Sequence, residues 1–305
     1  MNNIIFTKVK FYRNLKDYKF VPKLAVEQKE EIINKLKDFV GSKMSLVNIN
    51  SADAEMINFL RNNRLLMVGT NNVLVSIKEN MAMNLFSGEH IVLVSTGYGY
   101  DKSTFDRARD MINKLSNKTS MVYSDEYGYL MSDISKIGAG VEIECDICLN
   151  AIKSINKIDQ VKQNMRKLGY NLKSTDRENV YTLSTSCNLG FSEQEIFDEF
   201  SKVVSKLNDL EIESAKMLDV ANHDEIVDKS RRSLAILESA YLMTYEELDS
   251  IIMNIRMGKN LDLIDIDANK LSKLERLILD KTDEFTSKSE LISLANTARE
   301  ILKGE

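Results

Sequence analysis

The polar and apolar positions of the chain change period several times, and each change marks an element. In residues 4–13 Val9 and Phe11 alternate with Lys8 and Lys10, the period of a strand with one apolar and one polar face. Residues 25–40, AVEQKEEIINKLKDFV, switch to the 3.6-residue period of an amphipathic helix. Three short apolar runs follow, VLVSI (73–77), AMNLF (82–86) and HIVLVS (90–95), with Ser87-Gly88 as the turn between the last two. Residues 101–116 read as a helix with Phe105, Met111, Ile112 and Leu115 on one side. In residues 141–149 Val141, Ile143, Cys145 and Ile147 alternate with Glu142, Glu144 and Asp146, again a strand. Ile152, Ile155, Ile158, Val161, Met165 and Leu168 predict one helix stopped at Gly169. VYTLSTSC (180–187) predicts a strand. Ser192 with Glu195 forms a capping box that opens a long helix with Ile196, Phe200, Val203, Leu207 and Leu210 inward.

After about residue 221 the strand period disappears. Helices are expected at 224–243, 245–257, 267–280 and 287–303, with Met257-Gly258-Lys259-Asn260 ending the second and Ser287 with Glu290 capping the last. The pattern therefore predicts an α+β part, residues 1–220, built on an antiparallel sheet flanked by helices. An all-helical part, residues 221–305, follows it, and its apolar stripes need each other or a partner.

Composition narrows the class. A length of 305 residues accommodates two domains, and 43% hydrophobic with 29% charged residues suits a globular protein. A formal charge of −5 argues against general nucleic-acid binding. No apolar run reaches the roughly 20 residues of a membrane helix. Lys8 and Lys10 interrupt the start, so no signal-peptide core is expected. Three cysteines without such a signal point to a reducing cytoplasm. Cys145 and Cys148 form a C-x-x-C, but three positions apart on a strand they face opposite ways and cannot share a ligand easily. His90 and His223 are far apart in the chain, so no metal site is expected.

Several stretches, in order, resemble one family. They are TKVKFYRNL (7–15), SGEHIVLV (87–94), YGYLMSDISKIGAGVEIE (127–144), VYTLSTSCNLGFSEQEI (180–196) and NIRMGKNLDLI (254–264). The chain resembles the ATP:guanido phosphotransferases, and among them the bacterial protein-arginine kinases of the McsB type. The resemblance implies a catalytic core that moves the γ-phosphoryl of ATP onto a guanidinium. In the McsB branch the acceptor is a protein arginine, marked for degradation by the Clp machinery. That chemistry needs cations around the phosphates and a carboxylate to take a proton from the guanidinium.

Carried over position by position, the resemblance implies a depleted site. Lys8, Lys10 and Arg13 fall where the family has three arginines, and with the unchanged His90 they are the remnants of a phosphate site. The catalytic Glu falls on Gly88, between Ser87 and Glu89, and the following nucleotide arginine on Val92. The substrate cysteine becomes Asp133, its neighbouring proline Ile134, and the adenine-stacking histidine falls on Asn63. A glycine-bearing arginine loop is shortened to KSTDREN (173–179). The phosphate-gripping arginine after G-x-G aligns with Glu142, and Glu144 and Asp146 continue the same face. A like-sign pair at about 4 Å costs roughly 4 kcal/mol at an effective dielectric near 20. Without the alignment these acids read as the wet side of a half-exposed strand. The phosphoarginine pocket motif of the branch falls on Glu290–Ala295 and lacks both its arginines and its acid, whereas Leu291, Leu294, Ala298 and Leu302 keep an apolar stripe.

Three readings follow. The first is a pseudokinase, with no intact catalytic residue and no cofactor, that works as a binding, scaffolding or regulatory protein. Lys8 and Lys10 would then neutralise the acids instead of ATP. Its expected partners are a second copy, an active kinase, the activator of that kinase, or a Clp-system component. The second is an active kinase using ATP and Mg²⁺ through Glu89, Glu142 or Asp133. The third is nucleotide binding without catalysis through Lys8, Lys10 and Arg13.

Overall fold

The computed structural model describes residues 3–186, 188–279 and 287–304. The expected ends of one strand at Cys187 and of one helix at Asp280 lie outside the described residues, as do Met1 and Glu305.

Ten strands and nine α-helices follow one another in the order β1 (Ile4–Arg13), α1 (Val26–Val40), β2 (Ser45–Asn48), α2 (Ala54–Asn62), β3 (Asn72–Ser76), β4 (Met81–Leu85), β5 (Ile91–Tyr98), α3 (Lys102–Lys118), β6 (Tyr123–Ser124), β7 (Gly128–Tyr129), β8 (Val141–Cys148), α4 (Asn150–Ser154), α5 (Ile158–Lys167), β9 (Tyr170–Ser174), β10 (Val180–Thr185), α6 (Glu193–Ser239), α7 (Tyr245–Asn260), α8 (Ala268–Leu279) and α9 (Lys288–Lys303), counted among the described residues. Eight strands form one antiparallel sheet ordered β2-β3-β4-β5-β1-β8-β10-β9, and β6 with β7 make a separate small ribbon. The first strand of the chain is thus central, paired to β5 on one side and β8 on the other.

Strand parity sorts the two faces. Val9, Phe11, Leu93, Val141, Ile143, Cys145 and Leu183 face a layer of helices α1, α3, α5 and α6, with Ile32, Leu36, Phe105, Ile112, Val161 and Phe200 opposite them. The other face carries a smaller apolar cluster at its β3–β5 end, where Tyr12, Val73, Ala82, Val92 and Val94 meet Leu60, Leu65 and Met131. The rest of that face is polar, and it holds the candidate site.

The structure adds elements that periodicity missed and corrects others. Strands β2, β6, β7 and β9 and helix α2 are short, and their apolar residues are too few to set a period. Strand β9 takes up Lys173 and Ser174, so KSTDREN is partly a strand and only its remainder a turn. The helix expected across 152–168 is two helices, because Asn156 adopts φ 58° between α4 and α5. Helix α6 runs across the expected boundary near residue 221 and bends at Asn222, which has φ −135° and ψ 31° inside it.

Gly258 does not end a helix. It lies within α7, where an added Cβ would come to 2.7 Å from both Cβ and Oγ of Ser230 on α6. The apolar stripes of the C-terminal helices close on one another: Leu237, Leu248, Ile252, Leu274, Leu294 and Ala298 share one buried cluster. The two thiols point apart as parity requires. Cys145 joins the main core, whereas Cys148 packs with Ile5, Phe6, Val180 and Met253 of α7.

Polar contacts tie the helical part to the sheet. Arg177, in the β9–β10 turn, donates to Asp249 of α7 at 3.2 and 2.6 Å and to Glu275 of α8 at 2.8 Å. Arg256 holds the other oxygen of Glu275 at 2.6 Å. Burial pushes the Glu275 carboxyl up, yet the two guanidinium groups outweigh it and hold it below the usual range. On α6, Glu211 accepts the backbone N–H groups of Ala151 and Ile152 at 2.7 and 3.0 Å, and burial raises its pKa to about 7.

Two outcomes follow from this packing. Gly258→Ala should lower stability by about 1–3 kcal/mol in urea denaturation, since the added methyl overpacks against Ser230. Glu211 has a folded pKa above its unfolded value of 4.5, so the folded state binds more protons between that value and about 7. Its contribution to stability is therefore present below 4.5 and lost as pH rises through about 7. The melting temperature of the wild type minus that of Glu211→Gln should fall across that window. A flat difference would contradict the assignment.

Candidate functional site on the polar face of the central strands

The site grows out of the β1–β8 register. Lys10 sits opposite Glu142, Lys8 opposite Glu144 and Phe6 opposite Asp146. Alternation sends all of these side chains to one face, so the lysines of one strand meet the acids of the next by geometry alone. Lys10 is 7% exposed and places its ammonium 2.6 Å from Glu144 and 3.5 Å from Glu142. Glu142 also takes Lys136 at 2.9 Å and the Tyr12 hydroxyl at 2.6 Å. Burial pushes the Glu142 carboxyl up, but Lys10 and Lys136 overcome that and leave it below the usual range. Desolvation and the adjacent Glu142 charge push the Tyr12 phenol upward.

Asp146 is 4% exposed, so it is not on the wet side of the strand. It pairs with Arg64, beyond α2, and accepts from the Thr182 hydroxyl of β10 at 2.6 Å. Arg64 sits at φ 51° and lies 4.9 Å above the Phe6 ring. Lys8 has a different fate. The acid opposite it is taken by Lys10, and its pKa falls to about 8 through desolvation and the neighbouring Lys10 charge.

Arg13 ends β1 with no exposure at all. It forms an ion pair with Glu193 at the start of α6, lies 3.6 Å over the Tyr129 ring, and donates to the carbonyls of Tyr12, Ala139 and Gly140. Gly140, at φ 60°, is required here: a Cβ would fall 2.8 Å from the Arg13 guanidinium and 2.9 Å from the Tyr12 carbonyl. Gly138 is equally confined, with the Asn188 carbonyl 2.2 Å from where its Cβ would stand. The G-A-G stretch thus lets two backbones and a guanidinium approach.

The remaining sequence candidates lie around this face. Gly88, at φ 83°, shapes the β4–β5 turn, and Ser87 donates to the Val68 carbonyl at 2.8 Å. Glu89 is 3% exposed; it accepts from Asn14 at 2.5 Å and from the backbone N–H groups of Ser132 and Asp133 at 3.0 and 3.1 Å. Its carboxylate thus fastens residues 132–133 beneath β1. Asp133 caps the short 3₁₀ turn Ile134–Lys136 through the N–H of Ser135. Ile134 is 83% exposed and Val92 is fully buried.

His90 is buried too. Its Nδ1 accepts from the Leu15 N–H at 3.0 Å, so Nε2 is the protonated nitrogen that donates to the Lys19 carbonyl at 2.7 Å. Burial lowers its pKa, which keeps the ring neutral. Asn63 ends α2 and donates to the Phe59 carbonyl at 2.9 Å.

The structure brings Lys8, Lys10, Glu142 and Glu144 together on one face and places Arg13, Glu89 and His90 near the end of β1, where Asn14 joins Glu89 to the His90 backbone and Arg13 pairs with Glu193. Sequence reasoning missed Tyr12, Lys136, Arg64 and Glu193. The parity of β1 could have found Tyr12, which lies two residues past Lys10 on the same face. Arg64 and Glu193 left no local signal, because they reach the site through folding. Among the described residues no group of three or more His, Cys, Asp or Glu side chains is placed to hold a metal ion. Among them, too, no helix is long and apolar enough to cross a membrane.

Removing one partner of this network isolates like charges. Lys10→Met should destabilise the fold by about 1–3 kcal/mol, less than the full cost of a sealed pair because Glu144 is 24% exposed. Adding Glu142→Gln and Glu144→Gln to the same chain should recover most of that loss in urea denaturation. Failure of the triple variant to recover would show that Lys10 acts through its packing.

Comparison with known proteins places this geometry. Residues 25–214 match the family model of the ATP:guanido phosphotransferase C-terminal catalytic domain. A protein-arginine kinase of Clostridium botulinum (strain Eklund 17B) is 24% identical over 288 residues, covering 89% of this chain and 85% of that relative. A protein-arginine kinase of Staphylococcus saprophyticus is 20% identical over 300 residues, covering 93% and 89%. Among solved structures, the duplicated taurocyamine kinase of Schistosoma mansoni superposes with a TM-score of 0.62 at 19% identity over 69% of this chain, which spans 33% of that duplicated chain. Lombricine kinase superposes with a TM-score of 0.60 at 16% identity, over 68% of this chain and 66% of its own. These superpositions carry the fold.

Proposed function

The chain belongs to the ATP:guanido phosphotransferase family, and on that premise we propose that it is a member that no longer transfers phosphate and acts by binding other proteins. One observation carries the reading: two of the three cations that would meet phosphate, Lys10 and Arg13, are already engaged. Lys10 lies between Glu142 and Glu144, and Arg13 is sealed against Glu193 and Tyr129. A triphosphate brought to this face would displace carboxylates from Lys10 and then face them at short range. Each such like-sign contact costs roughly 4 kcal/mol at about 4 Å and an effective dielectric near 20. The residues present therefore do not fit Mg·ATP.

The route to an active enzyme meets the same obstacle. A general base needs an oxygen free to reach the guanidinium. Glu89 spends both oxygens on Asn14, Ser132 and Asp133. Glu142 is held through Oε2 by two lysines and a tyrosine, whose charges and hydrogen bond keep its carboxyl below the usual range and so make it a weak base. On this reading the protein needs no ATP or metal. Its work is cytoplasmic, in a homodimer or a complex with an active protein-arginine kinase, the activator of that kinase, or a component of a Clp protease.

The test is phosphate transfer from labelled ATP, with Mg²⁺, to an arginine-rich protein, run beside calorimetric titration with Mg·ATP. No transfer and no heat of binding are expected. Phosphoarginine formation lost on Glu142→Ala or Glu89→Ala would overturn the proposal. Binding without transfer would reduce the chain to a nucleotide-binding protein.

A further inference from the structure

We propose that Lys8 is a nucleophilic lysine, a site at which the chain is acylated by neutral thioesters. The geometry leaves Lys8 as the odd cation of its face. Across from it on β8, Glu144 is committed to Lys10 at 2.6 Å, and Glu142 is shared by Lys10 and Lys136. Asp146, the next acid on that strand, is held by Arg64 and Thr182. On the other side the register places uncharged Thr96 of β5 opposite Lys8. Among the described residues no carboxylate oxygen lies within the 4 Å that would make an ion pair with its ammonium. The residue is of intermediate exposure, neither sealed nor open.

The groups that bear on its charge are Lys10 on its own strand, Glu144 and Glu142 on β8, and Arg64 beyond α2. Desolvation comes first and favours the neutral amine; Lys10 and Arg64 act in the same direction, and the two acids oppose them. Lysine becomes a nucleophile when desolvated or placed beside another cation, and Lys8 meets both conditions. With its pKa lowered from 10.5 to about 8, roughly a quarter of Lys8 side chains are neutral near pH 7.5, against about one in a thousand for an ordinary lysine.

The reaction balances without any further reagent. The Nζ lone pair attacks the thioester carbonyl carbon, an N–C bond forms and the C–S bond breaks. The amine proton leaves with the thiolate as free thiol, and Lys8 keeps an amide. A neutral thioester is the matching class, because it brings no charge that would have to be desolvated at a half-buried amine. The inference stands apart from the question of phosphate transfer.

The experiment exposes the full-length native protein to S-acetyl-N-acetylcysteamine, a neutral thioester, across about pH 6–10. Peptide mass spectrometry then measures the acetylation rate at each lysine. Lys8 should react more than tenfold faster than exposed Lys16 and Lys43 near pH 7.5, and its rate should level off with a midpoint near 8. In Arg64→Gln that midpoint should rise and the rate near pH 7.5 should drop severalfold, because a cation is lost and Asp146 is freed. Equal rates at Lys8 and the exposed lysines, a Lys8 rate still climbing beyond about pH 9, or an unmoved midpoint in Arg64→Gln would each overturn the proposal.

Discussion

The pairing of β1 with β8 is the constraint on which the rest of the molecule depends. A central strand must satisfy two faces at once, and this one sends Val9 and Phe11 into the main core while Lys8, Lys10 and Tyr12 go the other way. On that other face, three acids in register would repel one another in a half-buried setting. Each is answered by a cation from a different part of the chain. Lys10 comes from β1, Lys136 from the loop before β8, and Arg64 from beyond α2. One ladder of charges thereby positions a strand, a loop and a helix end. Arg13 extends the device past the end of β1, where its ion pair with Glu193 sets the start of α6.

A second buried network does for the two regions of the chain what the first does for the sheet. Arg177 reaches from the β9–β10 turn to Asp249 and Glu275, and Arg256 completes the set. Buried ion pairs of this kind add little net stability but penalise every other arrangement, since any misplacement strands a charge. Met253, seated among Ile5, Phe6, Cys148 and Val180, supplies the apolar burial beside it. The bend at Asn222 lets one helix serve both regions, turning between the packing of the sheet and that of α7. In both networks the cations Lys10, Arg13, Arg64 and Arg177 are bound to acids of the same chain.

Much of the fold was legible because it rests on period. The strands at 4–13 and 141–149, the hairpins between 73 and 95, and the capped helix from Ser192 all carry long alternations or explicit end signals, and each begins within a few residues of its expected start. Elements with too few apolar residues to set a period, such as β2, α2 and β9, were not legible. The break at Asn156 was hidden because Ile152, Ile155 and Ile158 keep helical spacing across it; a left-handed residue interrupts the helix without disturbing the pattern. Gly258 shows the converse. Its place near the end of an apolar run reads as a stop, yet it is kept small by Ser230 on another helix.

The candidate site divides along the same line. The family resemblance implied that acids stand where phosphate-gripping residues would be expected, and strand parity alone determined that Lys8, Lys10, Glu142, Glu144 and Asp146 share a face. Those are local facts, set by residue identity and a period of two. Only the tertiary structure decided which charge belongs to which. It gave Glu144 to Lys10 instead of to Lys8 opposite, brought Arg64 to Asp146 and Glu193 to Arg13, and made G-A-G a close crossing over Arg13. Charge pairing acts over a few ångströms of space, and the partners here lie up to 180 positions apart along the chain, where no local pattern reaches.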